Sequence, residues 1–125
     1  MTGQELYVLQ HLLQHDTIWP TAGLASRPTM EQVLTAAARI DELFIMQDKG
    51  FVAITREEDG VGEVHCGFLK DVRGNAAMQF CKSVLARTRF KRLITRPNKK
   101  FKEAAQFAAT LGFKRQKDVM VYTKA

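Results

Sequence analysis

The segment from Arg73 to Met78 is a candidate anion-binding site. Arg73 and Gly74 stand directly before a run of residues with helical periodicity. The backbone N–H groups of a first helical turn have no partner inside the helix, and together they favour a bound phosphate. A phosphate-binding helix start over residues 74–77 is therefore one interpretation of the segment. The alternative is an ordinary polar turn that caps a helix.

Two further side chains have types suited to proton transfer. Glu63 and His65 alternate with apolar residues in a strand-like pattern, and a carboxylate or an imidazole there can accept the proton of an attacking ammonium. Both also fit solvent-facing positions of a strand. Cys66 is a candidate nucleophile, but no basic partner stands at a telling spacing, so we expect Cys66 and Cys81 to be buried thiols. The cysteines and histidines form no zinc pattern.

Positive charge is concentrated towards the carboxy terminus. Residues 1–80 hold six basic and eleven acidic side chains, a net charge of −5, whereas residues 81–125 hold thirteen basic and two acidic ones, a net charge of +11. This asymmetry favours an anionic ligand: the phosphates of a cofactor, a nucleic acid or an acidic protein. The basic residues are densest between positions 87 and 102. The alternative to ligand binding is that they form a solvated face, and they are Arg87, Arg89, Lys91, Arg92, Arg96, Lys99, Lys100 and Lys102.

The length and composition predict one globular domain. The 125 residues are 46% hydrophobic and 26% charged, which is enough for one buried core. No apolar run approaches the roughly 20 residues that span a bilayer, and the first residues do not resemble a signal peptide. A cytoplasmic location is therefore expected. Phe90 and Phe101 lie among the basic residues, but their periodicity predicts core packing rather than base stacking.

Two helices are predicted before the first strand. Capping-box sequences begin at Thr2 and Thr29, and apolar residues at helical spacing follow each of them. We expect helices over residues 3–14 and from 29 to about 42. Residues 21–28, which contain glycine, serine and proline, are expected to form a loop.

Three antiparallel strands are predicted next. Apolar runs at residues 44–46 and 51–54 flank a turn composition at 48–50, which indicates a hairpin. Residues 57–60 have a second turn composition, and residues 63–68 then alternate as a strand does.

The remaining chain predicts two more helices and two strands. An amphipathic helix is expected over residues 75–89, followed by a strand at 90–95. A helix that starts at Pro97-Asn98 should end at Gly112 in a left-handed cap. Residues 113–123 are expected to form one closing strand.

This order of elements over residues 43–125 resembles the core of the GNAT (Gcn5-related N-acetyltransferase) superfamily. Leu111-Gly112-Phe113 is similar to that superfamily's junction between its last helix and the strand that follows. The resemblance implies one α/β domain over residues 1–125, with a mixed, mostly antiparallel central sheet flanked by helices.

The resemblance also implies an acetyl-CoA site. Arg73-Gly74 is similar to the opening of the GNAT loop, of form Arg/Gln-x-x-Gly-x-Gly/Ala, whose backbone amides hold the pyrophosphate. Ala76 replaces the central glycine, and Met78 stands where a second small residue usually lies. The cofactor contacts that the resemblance implies are Phe68, Leu69, Arg73, Gly74, Asn75, Ala76, Ala77 and Asn98.

The catalytic positions of the superfamily are altered in this sequence. Phe101 and Ala108 occupy the places of a typical asparagine and of the tyrosine that often acts as general acid. Asn98 is the nearest substitute for the asparagine, and Tyr122 is a substitute for the tyrosine. The resemblance further implies Glu63 or His65 as general base, and strand amides near Gly67 and Phe68 that polarise the thioester carbonyl.

Two functions follow from the resemblance. The first is an acetyl-CoA-dependent transferase that moves an acyl group to an amine. The second is a catalytically inactive protein with the GNAT fold, similar to those of short-tailed bacteriophages, some of which are internal virion proteins. Such a protein would lie in the host cytoplasm or the virion and would use its basic half to contact protein or nucleic acid.

Overall fold

Six strands form one mixed sheet in the computed structural model, which describes residues 1–21 and 24–124. The strands are β1 (Glu42–Met46), β2 (Gly50–Glu58), β3 (Val61–Phe68), β4 (Arg92–Thr95), β5 (Lys114–Gln116) and β6 (Val119–Thr123). The helices are α1 (Gly3–Leu13), α2 (Met30–Ala37), α3 (Asn75–Arg87) and α4 (Lys102–Leu111), and a 3₁₀ turn spans Lys70–Val72. The order across the sheet is β1-β2-β3-β4-β6-β5. The predicted α/β class with helices flanking a mixed sheet is confirmed.

Both predicted capping boxes are formed. Thr2 accepts a hydrogen bond from the N–H of Glu5 at 3.0 Å and donates its own N–H to the Glu5 carboxylate at 2.8 Å. Thr29 and Gln32 exchange the same pair of bonds. The end predicted for the second helix was wrong: α2 ends at Ala37, because the N–H of Asp41 already bonds the carbonyl of Ile54 in β2. Of the predicted loop over residues 21–28, Ala22 and Gly23 lie outside the described residues.

Four predicted boundaries in the second half of the chain differ from the structure, and the first is the start of β4, which lies at Arg92 and not at residue 90. α3 ends at Arg87. α4 begins at Lys102, because Asn98 closes a turn before it by accepting bonds from the N–H groups of Lys100 and Phe101, both at 3.0 Å. The closing segment is a hairpin of β5 and β6 rather than one strand. The predicted left-handed cap at Gly112 is confirmed, with φ at 109°.

Each face of the sheet carries its own apolar cluster. One face packs against α3 and α4 through residues that include Val52, Phe68, Leu93 and Met120. The other, which we call the outer face, packs against α1 and α2 through Phe51, Ala53 and their neighbours. As predicted, Phe90 and Cys81 are buried in the first cluster. No described helix is long and apolar enough to cross a membrane.

We predict that Gly62→Ala destabilises the sheet where β3 meets β4. A Cβ atom at this position would approach Ile54 Cγ2 to 2.5 Å and Phe90 Cγ to 3.0 Å. Such overpacking lowers the free energy of unfolding by about 1–3 kcal/mol. Gly3→Ala is the control, since nothing lies within 4 Å of its added methyl group. Urea denaturation of both variants measures the effect, and equal midpoints for the two would contradict it.

Candidate functional site

The strands β3 and β4 separate after only three paired residues. Val61 pairs with Arg92, Gly62 with Leu93 and Glu63 with Ile94, and β3 has no further partner in β4. The last link is the hydroxyl of Thr95, which donates to the carbonyl of Val64 at 3.3 Å. Beyond this point, which we call the fork, residues 64–68 of β3 border an opening in the sheet.

The backbone of β3 presents two amides to this opening. The carbonyls of Val64 and Phe68 face the opening, because they accept bonds from Thr95 and from Arg73. Alternate residues of a strand direct their backbone groups to the same edge, so the N–H groups of Cys66 and Phe68 also face the opening. The amide of Gly67 points to β2 instead. The resemblance implied amides near Gly67 and Phe68, and the structure directs those of Cys66 and Phe68 to the opening.

A cavity of about 890 Å³ extends from the fork between α3 and α4. We call it the cleft. Val64, Cys66 and Phe68 form its floor, while small residues of the two helices, such as Ala77 and Ala108, form its walls. The cleft is also lined from the outer face of the sheet by Thr21, His65 and Arg96. It therefore passes through the fork, and its size is in the range of small-molecule sites.

The amino-terminal end of α3 lies at the edge of the cleft. Gly74 adopts φ 96° and ψ −129°, a conformation that residues with a side chain rarely reach. The N–H groups of residues 74–77 have no acceptor among the described residues, and the first bond of the helix runs from Met78 to Gly74 at 2.9 Å. Four backbone donors therefore remain available to an anion here.

The side chain of Arg73 clamps this loop to two other parts of the chain. Its Nε donates to the carbonyl of Phe68 at 3.1 Å, and one of its terminal nitrogens donates to the carbonyl of Thr17 at 2.5 Å. The guanidinium thus joins the end of β3 to the segment after α1. Because two of its nitrogen atoms donate to backbone carbonyls of the protein, the Arg73 side chain fixes the conformation of the loop.

A polar cluster lies on the outer face at the fork. Arg96 contacts the carboxylates of Glu57 at 3.0 Å and Glu63 at 2.8 Å, and these two carboxylates raise the pKa of the guanidinium. The second oxygen of Glu63 lies 3.7 Å from Nε2 of His65, and the hydroxyl of Thr55 lies 3.4 Å from the same nitrogen. His65 is half exposed and lines the cleft, whereas Glu63 is only 18% exposed and does not.

The structure brings some predicted site residues together and leaves others apart. Residues that line the cleft are His65, Phe68, Arg73, Gly74, Ala77 and Asn98. Asn75 and Ala76 are exposed beside it. Leu69 packs with the α1 and α2 cluster, and its N–H bonds the carbonyl of Lys49 at 2.8 Å. Tyr122 packs against Phe113, with ring centroids 5.5 Å apart and ring planes tilted by 38°, and does not line the cleft.

Solved structures with a similar arrangement include acetyltransferases. An aminoglycoside acetyltransferase in complex with coenzyme A is 16% identical, with a TM-score of 0.73 over 98% of this chain and 91% of that one. A GNAT superfamily phosphinothricin acetyltransferase from Sinorhizobium meliloti, in complex with AcCoA, is 10% identical, with a TM-score of 0.77 over 100% and 86% of the chains. A GNAT family acetyltransferase from Bacillus anthracis is 10% identical, with a TM-score of 0.64 over 98% and 91%.

The chain has the GNAT fold. The fold predicted from the order of elements and from the Leu-Gly-Phe junction is thereby confirmed. No protein-family model matches the sequence, and no curated protein sequence matches it either. Similarity to solved structures, rather than a match to a family model or to a curated sequence, therefore confirms the fold.

Cys66 is a feature of this GNAT fold that the sequence prediction placed wrongly. The residue was expected to be buried, but it is exposed on the floor of the cleft, because α3 and α4 stand apart above it. Protein surrounds the thiol apart from the cleft, and this desolvation raises the pKa of Cys66 to about 11, against a smaller opposing effect of Arg73. Burial and the neighbouring Cys66 also raise the pKa of Cys81.

We predict that Cys66 reacts slowly with iodoacetamide, although reagent can reach it. Because the thiolate is the reactive species, a pKa raised to about 11 keeps the thiol protonated and leaves little thiolate at neutral pH. In a Cys81→Ala variant, alkylation followed by mass spectrometry should be about 100-fold slower at pH 7.5 than in the same chain unfolded in urea. The rate should still rise with pH at pH 9.5, where a plateau would contradict the prediction.

Proposed function

We propose that the protein is an N-acyltransferase that uses acetyl-CoA as acyl donor and an amine as acceptor. The observation that carries the proposal is the fork, whose open strand edge leads through the cleft to the free amides at the start of α3. The GNAT-fold neighbours in complex with coenzyme A or AcCoA support it.

Donor binding in this proposal uses backbone groups and apolar walls. The N–H groups of residues 74–77 would hold the pyrophosphate, because a helix start favours anions. The apolar stretch between α3 and α4 would hold the pantetheine arm, and Asn98 lies at the same cleft. Acetyl-CoA supplies an activated acyl group as a thioester. The N–H groups of Cys66 and Phe68 would then stabilise negative charge that develops on the carbonyl oxygen.

The general base in this proposal is His65. Its imidazole lines the cleft, whereas both carboxylate oxygens of Glu63 are directed to Arg96 and to His65. His65 would accept the proton of the acceptor ammonium, and Glu63 would orient the ring. The amine nitrogen would form a bond to the acyl carbon while the bond from that carbon to sulfur breaks, and CoA would leave as a thiolate that takes a proton from water. Tyr122 lies apart from the cleft and has no part in this scheme.

A second candidate is a binding protein that has the fold without the catalysis. It is favoured by the absence of tyrosine from the described lining of the cleft and by Ala76 and Met78 in the loop. The interpretation as an internal virion protein of a bacteriophage stays a prediction.

Acetyl-CoA binding should depend on the conformation of Gly74. We expect Gly74→Val to weaken binding by at least about tenfold, because valine at φ 96° is strained and would turn the helix-start amides away. Gly60→Val is the matched control: this glycine also has positive φ, at 76°, but lies in the turn between β2 and β3. Titration calorimetry on both variants provides the measurement. No detectable binding to the unchanged protein would overturn the proposal.

Replacement of His65 by glutamine should slow acyl transfer and leave donor binding intact. A positioned general base contributes about 10²–10⁴-fold to such reactions, so His65→Gln should lower kcat by that order with little change in acetyl-CoA affinity. His15→Gln, which alters an exposed histidine after α1, is the control. Release of free CoA with a panel of amines reports the rate. Equal rates for the two variants would exclude His65 as the base.

A further inference from the structure

Because of the strand order, the acidic and the basic parts of the sequence lie in different halves of the sheet. The first three strands with their turns, residues 42–68, hold six acidic and two basic side chains. They form one half of the sheet, and β4, β6 and β5 form the other half. Residues 114–124 of that second half hold four basic side chains and only Asp118 as an acid. Arg115 pairs with Met120 on the other face, and Lys124 bonds the carbonyls of Ala86 and Thr88 beside α3. The cations left for the outer face at the β5 edge are Lys114 and, at the turn, Lys117.

Strand register shows which basic residues share the outer face with the fork. Leu93 and Met120 belong to the α3 and α4 cluster, so their strand neighbours point to the outer face. One row of paired residues then crosses the outer face from β3 to β5, and it consists of Glu63, Ile94, Val121 and Lys114. Ile94 and Val121 are only 8% and 7% exposed, so the polar side chains around them form the accessible surface.

Four exposed residues on this part of the outer face form what we call the basic shelf, namely Arg92, Thr123, Lys114 and Gln116. Neither Arg92 nor Lys114 makes a salt bridge within the described residues. Lys117 adds a cation at the turn after β5 and has φ at 57°, which is uncommon for a residue other than glycine. The positive charge of the shelf is thus available to a ligand.

The fork and the basic shelf have opposite charge. At the fork, Glu57, Glu63 and Arg96 together carry one net negative charge, which favours an ammonium beside His65. The shelf favours carboxylates. A polyanion with charge along its whole length fits the shelf but not the fork, whereas a peptide with a free amine at one end and acidic residues further along fits both.

We propose that the acceptor is the amine of an acidic peptide segment, which lies across the outer face from the fork to the basic shelf. This inference rests on the proposed function, since it names the acceptor of that reaction. Three strand intervals of about 4.8 Å separate Glu63 from Lys114, which gives about 14 Å. An extended chain covers this distance in about four residues. The acidic residues therefore stand about four positions from the amine.

Three peptides of equal length test this geometry, and the first two share one composition. The first carries a free amino terminus and glutamates at positions 4 and 5, the second carries the glutamates at positions 10 and 11, and the third has arginines at positions 4 and 5. Acetyl transfer is followed by mass spectrometry with acetyl-CoA. Binding without acetyl-CoA is followed by anisotropy of a fluorophore at the carboxy terminus. We expect kcat/KM for the first peptide to exceed those for the others by at least about tenfold, on the scale of two close charge pairs.

Charge reversal at the shelf should remove this preference. Lys114→Glu should lower kcat/KM for the first peptide by about tenfold or more and leave acetyl-CoA affinity unchanged. Lys82→Glu makes the same change of net charge on exposed α3 and should leave the preference intact.

Several results would overturn the inference. These are equal rates for the three peptides, equal effects of the two charge reversals, or shelf-dependent binding of an oligonucleotide but of none of the peptides. Acetyl-CoA binding with no peptide preference overturns this inference alone. Absence of acetyl-CoA binding overturns the proposed function and the acceptor role together, even if the first peptide binds.

Discussion

The short ladder between β3 and β4 is the constraint on which the rest of the site depends. A strand inside a sheet normally has both edges paired, and unpaired backbone groups cost free energy unless another partner satisfies them. Here pairing stops at Glu63, and the carbonyls of Val64 and Phe68 are satisfied by Thr95 and Arg73 instead. The amides between them have no such partner in β4. A ligand carbonyl in the cleft would complete the hydrogen bonding that the sheet leaves open.

The two faces contribute differently to this opening. On the face that packs against α3 and α4, the apolar cluster that contains Leu93 and Phe90 packs against the paired part of β3 and β4. Burial of these apolar side chains supplies most of the free energy that holds the two strands together. On the outer side, Arg96 joins Glu57 and Glu63, but exposed ion pairs contribute only about 0–1 kcal/mol each. The polar cluster therefore orients side chains at the fork, and the apolar core holds the strands in place. Because the fold depends little on these ion pairs, the polar groups at the fork are available to contact a substrate.

Features with a local signal could be predicted from the sequence, and features set by distant contacts could not. The capping box at Thr2 and the left-handed Gly112 depend on neighbouring residues, and both were predicted correctly. The β5–β6 hairpin was missed because its turn has Lys117 at positive φ, where glycine or asparagine would have been the signal. Cys66 was predicted to be buried because no zinc pattern and no basic partner gave its thiol a chemical role. Whether helices cover it depends on how far apart α3 and α4 stand, which no local pattern encodes.

The loop at Gly74 matches only part of the GNAT phosphate-loop pattern, yet its backbone N–H donors remain free of partners among the described residues. A glycine is required by conformation where φ is positive, and in this loop that position is Gly74, at 96°. Ala76 lies inside the first turn of α3, whose helical conformation alanine adopts readily, and its N–H has no acceptor among the described residues. The replaced glycine thus affects how closely a phosphate can approach, while the retained glycine determines where the amides point. Since direction decides whether a hydrogen bond forms at all, Gly74 would matter more than Ala76 to the anion binding that we propose.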